Sequence, residues 1–417
     1  MNPLKILVIG AGPAGLMAAG QAAKRGAETV LLEKMPRIGM KLCITGKGRC
    51  NITNTCETAD FIAHFGKNGR FLRQAFARFF NHDLIDFFTD LGLETVKERG
   101  GRVFPKSGKA PDVQKALRLW CKQCGVTVQS STPVNRIIVT DGKVTGVETR
   151  GQIIPCNRVI LATGGASYPS TGSTGDGYAL AGSCDHSIIP IRQALVPLET
   201  AGKDAGRMAD LNLRNIKVRM LVDGKKNKEA FGEIVFTPFG LTGPTVLTLS
   251  GDAVDHLRAG RRVVFTIDLK PALDERKLEA RLLRDIDARG KEDIKSFLRG
   301  LIPRQMIPVC LDQTAIPLER KVCDISAKER KSLRLWLKDL RFKVIGFRPF
   351  SEAIVTAGGV STKEIDPKTM ESKKTAGLYI VGELLDIQAD TGGYNLQAAF
   401  STGWLAGRHA TRIEDGE

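Results

Sequence analysis

The sequence predicts an α/β protein whose main domain is discontinuous and is interrupted by an inserted β-rich domain. Three observations predict it: a strand, glycine turn, helix and strand at the start, two later apolar strands that each run into glycine, and a different texture between them.

At the start, an apolar strand meets Gly10-Ala11-Gly12-Pro13-Ala14-Gly15, a helical pattern follows, and a second strand closes at Glu33. Gly10 permits the tight turn, Gly12 lets the backbone approach a pyrophosphate, and Gly15 lets the helix pack close to the sheet. The phosphates then lie at the helix N-terminus. Glu33 stands where a carboxylate accepts hydrogen bonds from a ribose 2′-hydroxyl. It would repel a 2′-phosphate, so this Rossmann-type unit is expected to hold FAD or NAD rather than NADP.

Residues 39–54 read as a glycine-rich loop, followed by helical patterns over 71–80 and 84–91. Another helix covers 113–121. The CxxC of Cys121 and Cys124 closes it, with no second pair for zinc, so packing is its expected role. Segments 126–128, 134–139 and 144–149 alternate as strands of a ribbon around the Asp141-Gly142 turn. Residues 158–165 return a buried strand to a glycine turn. From about Ile191 short β segments appear, including 216–222, 233–236 and 262–269. Residues 274–341 are helical and highly charged. After Phe350 a buried strand runs into Gly382-Glu383, and Gly392-Gly393 opens a final helix. The expected domains are 1–190 with 345–417 for the nucleotide, 191–270 with 332–344 for a β-rich cap, and 271–331 for a helical subdomain.

The 417 residues are 42% hydrophobic and 26% charged, and no apolar run reaches the roughly 18 residues of a membrane span. Met1-Asn2-Pro3 leads straight into the first strand without a signal peptide, so the expected location is cytoplasmic. Nine irregularly spaced cysteines then read as free thiols, and five scattered histidines give no metal cluster. The net charge of +17 is concentrated: residues 191–345 hold 31 Lys plus Arg against 21 Asp plus Glu. The densest run spans 320–343. Such a balance suits an anionic partner or solvated helix faces.

Later segments discriminate FAD from NAD. Thr163, Gly164 and Gly165 end one strand where the backbone turns around a dinucleotide, and Gly382 and Glu383 end another. A helix opening after Gly393 would aim the N–H groups of Asn395 and Leu396 at a flavin edge that turns anionic on reduction. Together with the first fingerprint they favour FAD. No second G-x-G-x-x-G follows a strand, since 172–177 follows a Ser-Tyr-Pro-Ser-Thr loop, so NAD(P)H is expected to dock transiently as reductant. In the 39–54 segment Lys41 and Arg49 could neutralise phosphate or anionic flavin, Cys50 could donate a proton, and Asn51 lies beside them. Lys41, Arg49 and Cys50 are therefore the catalytic candidates.

The segments GRCNITN, GRVFPKSGKA, ATGGASYPSTGSTGDGYALA, FTPFGLTGP, GGVSTKEIDPKTMESK, GLYIVGELLD and TGGYNLQAAFSTG together resemble the bacterial flavoprotein family labelled YhiN, BaiN-like or aminoacetone oxidase. The resemblance spans nearly the whole chain. It implies noncovalent FAD in a discontinuous Rossmann domain and an inserted β-barrel-like domain bearing a small helical subdomain. Carried over by position, the FAD contacts are Gly10, Gly12, Ala14, Gly15, Glu33, Lys34, Lys41, Arg49, Val134, Thr163, Gly164, Glu383, Asn395 and Leu396. Pro13, Cys50, Asn51, Gly165, Gly382 and Gly393 adjoin them as further candidates.

Two departures stand out. Thr237-Pro238-Phe239-Gly240 lacks the histidine the family often carries, and Asp386-Ile387-Gln388-Ala389-Asp390 replaces a glycine-bearing turn. The family label has covered reduction of unsaturated steroids, reduction of uridine in ribosomal RNA and amine oxidation. The leading expectation is reduction of an electron-poor C=C in a small molecule. An RNA uridine reductase gripping phosphates through the basic insert is the alternative, and an amine oxidase the third.

Overall fold

A computed structural model describes residues 4–412. Met1, Asn2 and Pro3, read above as leaderless, and residues 413–417 lie outside the described residues. The chain divides into two compact units, Met1–Gln193 with Phe350–Glu417, and Ala194–Pro349.

In the first unit, β1 (Lys5–Ile9) passes through Gly10 and Gly12 into α1 (Pro13–Ala23) and returns along β2 (Glu28–Leu32). Five parallel strands form the sheet, in the order Leu378–Ile380, Arg158–Leu161, β1, β2, Thr127–Gln129. Ile6, Leu7, Val8 and Ile9 are buried, as expected of a parallel strand covered on both faces. The strand expected over 126–128 joins this sheet beside β2, pairing Val30 with Thr127 in parallel. It does not join the ribbon. That ribbon is Arg136–Thr140, Lys143–Thr149 and Gln152–Pro155, so its third strand follows the hairpin rather than preceding it.

The segment read as a loop over 39–54 is partly helical, as α2 (Met40–Gly48). Its glycines do not abolish the helix; they break it late. Thr45, Gly46 and Lys47 leave helical geometry, and the chain turns at Gly46 and Lys47, both left-handed.

The second unit holds a closed six-stranded antiparallel barrel, in the order Leu198–Thr200, Gly240–Thr242, Lys225–Thr237, Asn212–Val222, Val263–Asp268 and Leu340–Phe347. Val218, Met220, Phe236, Phe265 and Phe342 are buried within this unit. Four helices between the last two strands, Glu275–Arg289, Ile294–Arg299, Ile307–Thr314 and Ala327–Lys338, carry the charged stretch. Among the described residues no helix is long and apolar enough to cross a membrane.

Back in the first unit, α1 packs on the helix Tyr394–His409 through small residues. A Cβ on Gly403 would meet the Ala14 carbonyl oxygen at 2.2 Å, and one on Gly407 would meet that of Ala18 at 2.4 Å. The two helices therefore touch backbone to backbone. Gly403→Ala should cost about 1–3 kcal/mol by overpacking. Denaturant unfolding measures it, and an unchanged midpoint would contradict this contact.

Candidate dinucleotide and active site

The glycine turn is shaped by backbone. Gly10 has φ +98°, and a Cβ there would lie 2.6 Å from the Ala162 carbonyl oxygen, so only glycine fits between β1 and the strand beside it. Around Gly12 the corresponding direction holds no atom within 4 Å. No side chain caps α1, and Pro13 occupies its first turn, so the helix presents its positive N-terminal end to that space. Glu33 is buried, accepting hydrogen bonds from the Ala11 N–H and the Met35 N–H, both at 2.8 Å. These two donors fix its carboxylate against the turn.

A second cluster joins both ends of the chain. Lys41 Nζ lies 2.7 Å from Glu383 Oε2 and donates to Ser167 Oγ at 2.7 Å. Glu383 Oε1 accepts from the Thr356 N–H at 2.8 Å, and Ser167 Oγ lies 3.3 Å away. Thr356 Oγ1 in turn accepts the Ala166 N–H. The strand ends meet here: a Cβ on Gly165 would press on Thr356 Oγ1 at 2.4 Å, and one on Gly382 would reach the Ala14 Cβ at 2.9 Å. The Gly382 N–H donates to Thr402 Oγ1, which holds that turn to the 394–409 helix.

The third part is the opening of that helix. Gly393, with φ +97°, sits against the backbone of Thr53, where a Cβ would be 2.4 Å from the carbonyl oxygen. A buried chain of hydrogen bonds secures it: Thr53 Oγ1 donates to Gln397 Oε1 at 2.6 Å, Gln397 Nε2 to Ser401 Oγ, and Ser401 Oγ to the Phe79 carbonyl. Asn54 Nδ2 donates to the Gly392 carbonyl at 3.2 Å. The motifs around Asn51 and Asn395 are thus one structural unit.

Several candidates are already engaged. Arg49 pairs with Glu98 and lies over the Phe104 ring at 4.3 Å. Lys34 bonds Asp176 and Thr174. The Asn395 side chain binds the Ala389 backbone from both sides, leaving its N–H rather than its amide for a ligand. Cys50 is fully buried, and burial pushes its thiol up to about 12, so it holds its proton. Val134 is half-buried on the stretch whose Thr132 N–H donates to the Glu33 carbonyl. Gly175 and Asp176 open a helix, Asp176–Gly182, after a single 3-10 turn, Pro169–Thr171, and not after a strand.

Sequence reasoning missed Ser167, Thr356 and Thr402, which organise the strand ends. It also missed His64. The His64 Nδ1 lies 3.0 Å from Asp390 Oδ2, and its ring stacks on Tyr394 at 3.9 Å. Asp386 accepts from Asn68 Nδ2 at 2.8 Å. The departure over 386–390 therefore supplies two carboxylates that anchor its own loop, and Asp390 was the available signal for a histidine partner.

The residues fit FAD. Asn51 Oδ1 and Thr163 Oγ1 are buried without a protein partner, and a buried oxygen in that state asks for a donor. Both helix N-termini carry no side-chain cap. Glu33 could hold the ribose, α1 the pyrophosphate, and the first N–H groups of the 394–409 helix the flavin edge. Among the described residues no group of three or more His, Cys, Asp or Glu side chains is placed to hold a metal.

Fold and site together define an FAD-dependent oxidoreductase. Residues 4–409 match the family described as HI0933-like protein Rossmann domain, and the chain belongs to that family. It is 33% identical over 408 residues to a Clostridium scindens protein named 3-dehydro-bile acid delta(4,6)-reductase, covering 97% of this chain and 98% of the relative. It is 31% identical over 410 residues to the Haemophilus influenzae ribosomal RNA dihydrouridine synthase, with 97% and 98% covered. Among solved structures, 3-ketosteroid delta1-dehydrogenase from Sterolibacterium denitrificans superposes with a TM-score of 0.52 at 12% identity, covering 99% of this chain and all of that one. At that identity the likeness is one of fold.

Glu33→Ala removes the carboxylate placed to accept a ribose hydroxyl of a bound dinucleotide, together with its lock on the Ala11 N–H. FAD binding should weaken roughly 10- to 100-fold, the equivalent of about 1.5–3 kcal/mol for a charge-assisted hydrogen bond. Equilibrium dialysis with FAD checks this, and an unchanged Kd would show that Glu33 plays no part.

Proposed function

We propose that this protein is an NAD(P)H-driven reductase that saturates a carbon–carbon double bond made electron-poor by a conjugated carbonyl. The observation that carries this reading is the pair of whole-chain relatives. A 3-oxo steroid unsaturated at positions 4 and 6 and the uracil ring of uridine differ in size and charge, yet both present a C=C polarised by a carbonyl. One hydride chemistry serves both.

FAD, which Glu33 and the N-termini of α1 and the 394–409 helix would hold, would supply the hydride-transfer chemistry between a reduced nicotinamide and the electron-poor carbon. The chain's own residues bind and orient. Glu33 and the N-terminus of α1 hold the adenosine and pyrophosphate end, and the Glu383–Lys41 pair fixes the strand ends that Gly165 and Gly382 terminate. The N-terminus of the 394–409 helix stabilises negative charge at the flavin edge. Saturation also needs a proton at the neighbouring carbon. Cys50 is buried, and Lys41 and Arg49 are tied to carboxylates. His64, half-exposed and oriented by Asp390 beside the first residue of that helix, is the group we assign to deliver it.

A small substrate is favoured over RNA by the charge pattern of the second unit. In the run from Arg320 to Lys343, Arg320 pairs with Glu329, Arg330 and Arg334 with Glu279, Lys338 with Asp268, and Arg341 with Asp339. Over half of that run's cations are neutralised within the protein. Lys321, Lys328, Lys331 and Lys343 are exposed with no ion pair to a described carboxylate, and they, with the dihydrouridine synthase relatives, keep the RNA reading as the second one.

The test is anaerobic turnover of the FAD-loaded enzyme with NADH or NADPH against conjugated steroid enones and uridine-bearing ribosomal RNA fragments. The expected result is nicotinamide oxidation matched by loss of enone absorbance. Dihydrouridine formation without enone reduction would establish the second reading instead. Amine-dependent peroxide formation with no NAD(P)H oxidation would contradict both. In the active case His64→Gln should slow saturation of the double bond while leaving FAD content unchanged, and an unchanged rate would remove His64 as the proton donor.

A further inference from the structure

At the opposite end of the 394–409 helix lies a feature that the flavin site does not use. The helix Arg73–Arg78 and the 394–409 helix both end at an open cleft of about 670 Å³, completed by residues 366–369 of the same unit. The helix is 16 residues long, which puts the cleft about 22 Å from its N-terminus. It is a separate place on the molecule.

The lining is cationic, and no ion pair to a described carboxylate neutralises its arginines or Lys368. Arg78, Arg408, Arg412 and Lys368 face the cleft, and none has a carboxylate of a described residue within ion-pairing distance. Arg25 adds its charge to the same neighbourhood. Asp366 is the one acidic residue of the lining, and its carboxylate accepts the Lys368 N–H. Burial, then the like charges of Arg25, Arg412 and Arg78, lower the Arg408 pKa. Burial, followed by Arg412 and Arg408, holds the His409 imidazole down at about 4. A helix C-terminus favours a nearby cation, which accounts for one basic residue at each helix end. It does not account for several cations set against one another.

The lining also says what kind of anion fits. Trp404 carries the Arg408 guanidinium over its ring at 4.4 Å and is stacked with Phe79 at 5.4 Å. Recognition here is of charge, and the guanidinium forks of Arg78, Arg408 and Arg412 suit phosphate oxygens. The volume lies within the range of small-molecule sites.

We propose that this cleft is a binding site for clustered anionic phosphate groups, presented either by a free polyphosphate or by the phosphodiester backbone of a nucleic acid. The site is independent of the reduction chemistry proposed above.

The test is calorimetry on the FAD-loaded protein with inorganic tripolyphosphate, repeated with a short single-stranded RNA as competitor. Tripolyphosphate should bind, and the double variant Arg78→Gln, Arg408→Gln should weaken it at least about tenfold, with circular dichroism and FAD content unchanged. Displacement of tripolyphosphate by the RNA would assign the site to a nucleic-acid backbone, and binding without displacement to a free polyphosphate. No binding, or equal binding by wild type and double variant, would overturn the proposal. A chain ended at Arg412 removes the acidic residues Glu414, Asp415 and Glu417. If only that shortened chain bound tripolyphosphate, the cleft would be a site for the chain's own acidic end, and the proposal would also fall.

Discussion

The ion pair between Lys41 and Glu383 is the interaction on which the site depends, because it joins residues 342 positions apart at the point where two strand ends and α2 meet. About a fifth of each side chain is exposed, so water screens the pair only in part. A hydrogen bond between charged groups in such a place is worth roughly 1.5–3 kcal/mol. Its larger effect is geometric. Glu383 is held by the Thr356 N–H as well as by Lys41, and Lys41 also reaches Ser167. The side chain at 383 therefore ties three backbone segments together, and Gly165 is glycine because a Cβ there would press on Thr356 Oγ1.

Much of this was legible in sequence, for a physical reason. Close backbone approaches demand glycine, and buried parallel strands demand continuous apolar runs, so the turn at Gly10 and the strands at 158–161 and 378–380 leave one-dimensional marks. Side-chain partnerships leave none. Nothing local in Ser167, Thr356 or Thr402 says that each closes a hydrogen bond to a distant strand end. The glycines of 39–54 suggested a loop, whereas the helix there survives until Thr45 because only its last turn needs left-handed residues. Alternation alone groups residues 126–128 with the strands that follow in sequence; the pairing of Thr127–Gln129 with β2 is a long-range choice that a three-residue segment cannot announce.

The basic composition reads differently once partners are visible. The densest cationic run in sequence, over 320–343, is largely ion-paired. A sparser set from four separate segments, Arg25, Arg78, Lys368 and the end of the 394–409 helix, has no described carboxylate within ion-pairing distance. Sequence density is therefore a poor guide to the electrostatic surface of this protein. What matters for an anion is charge left unpaired in a concave place.

The central claim is that segments from both ends of the chain assemble one FAD site. Heat denaturation of the purified protein, with chromatography of the released chromophore, tests it most directly. The account predicts a yellow protein that releases FAD, one per chain, and that regains its colour when the refolded chain is given FAD. A colourless protein that takes up no flavin when incubated with FAD would contradict it.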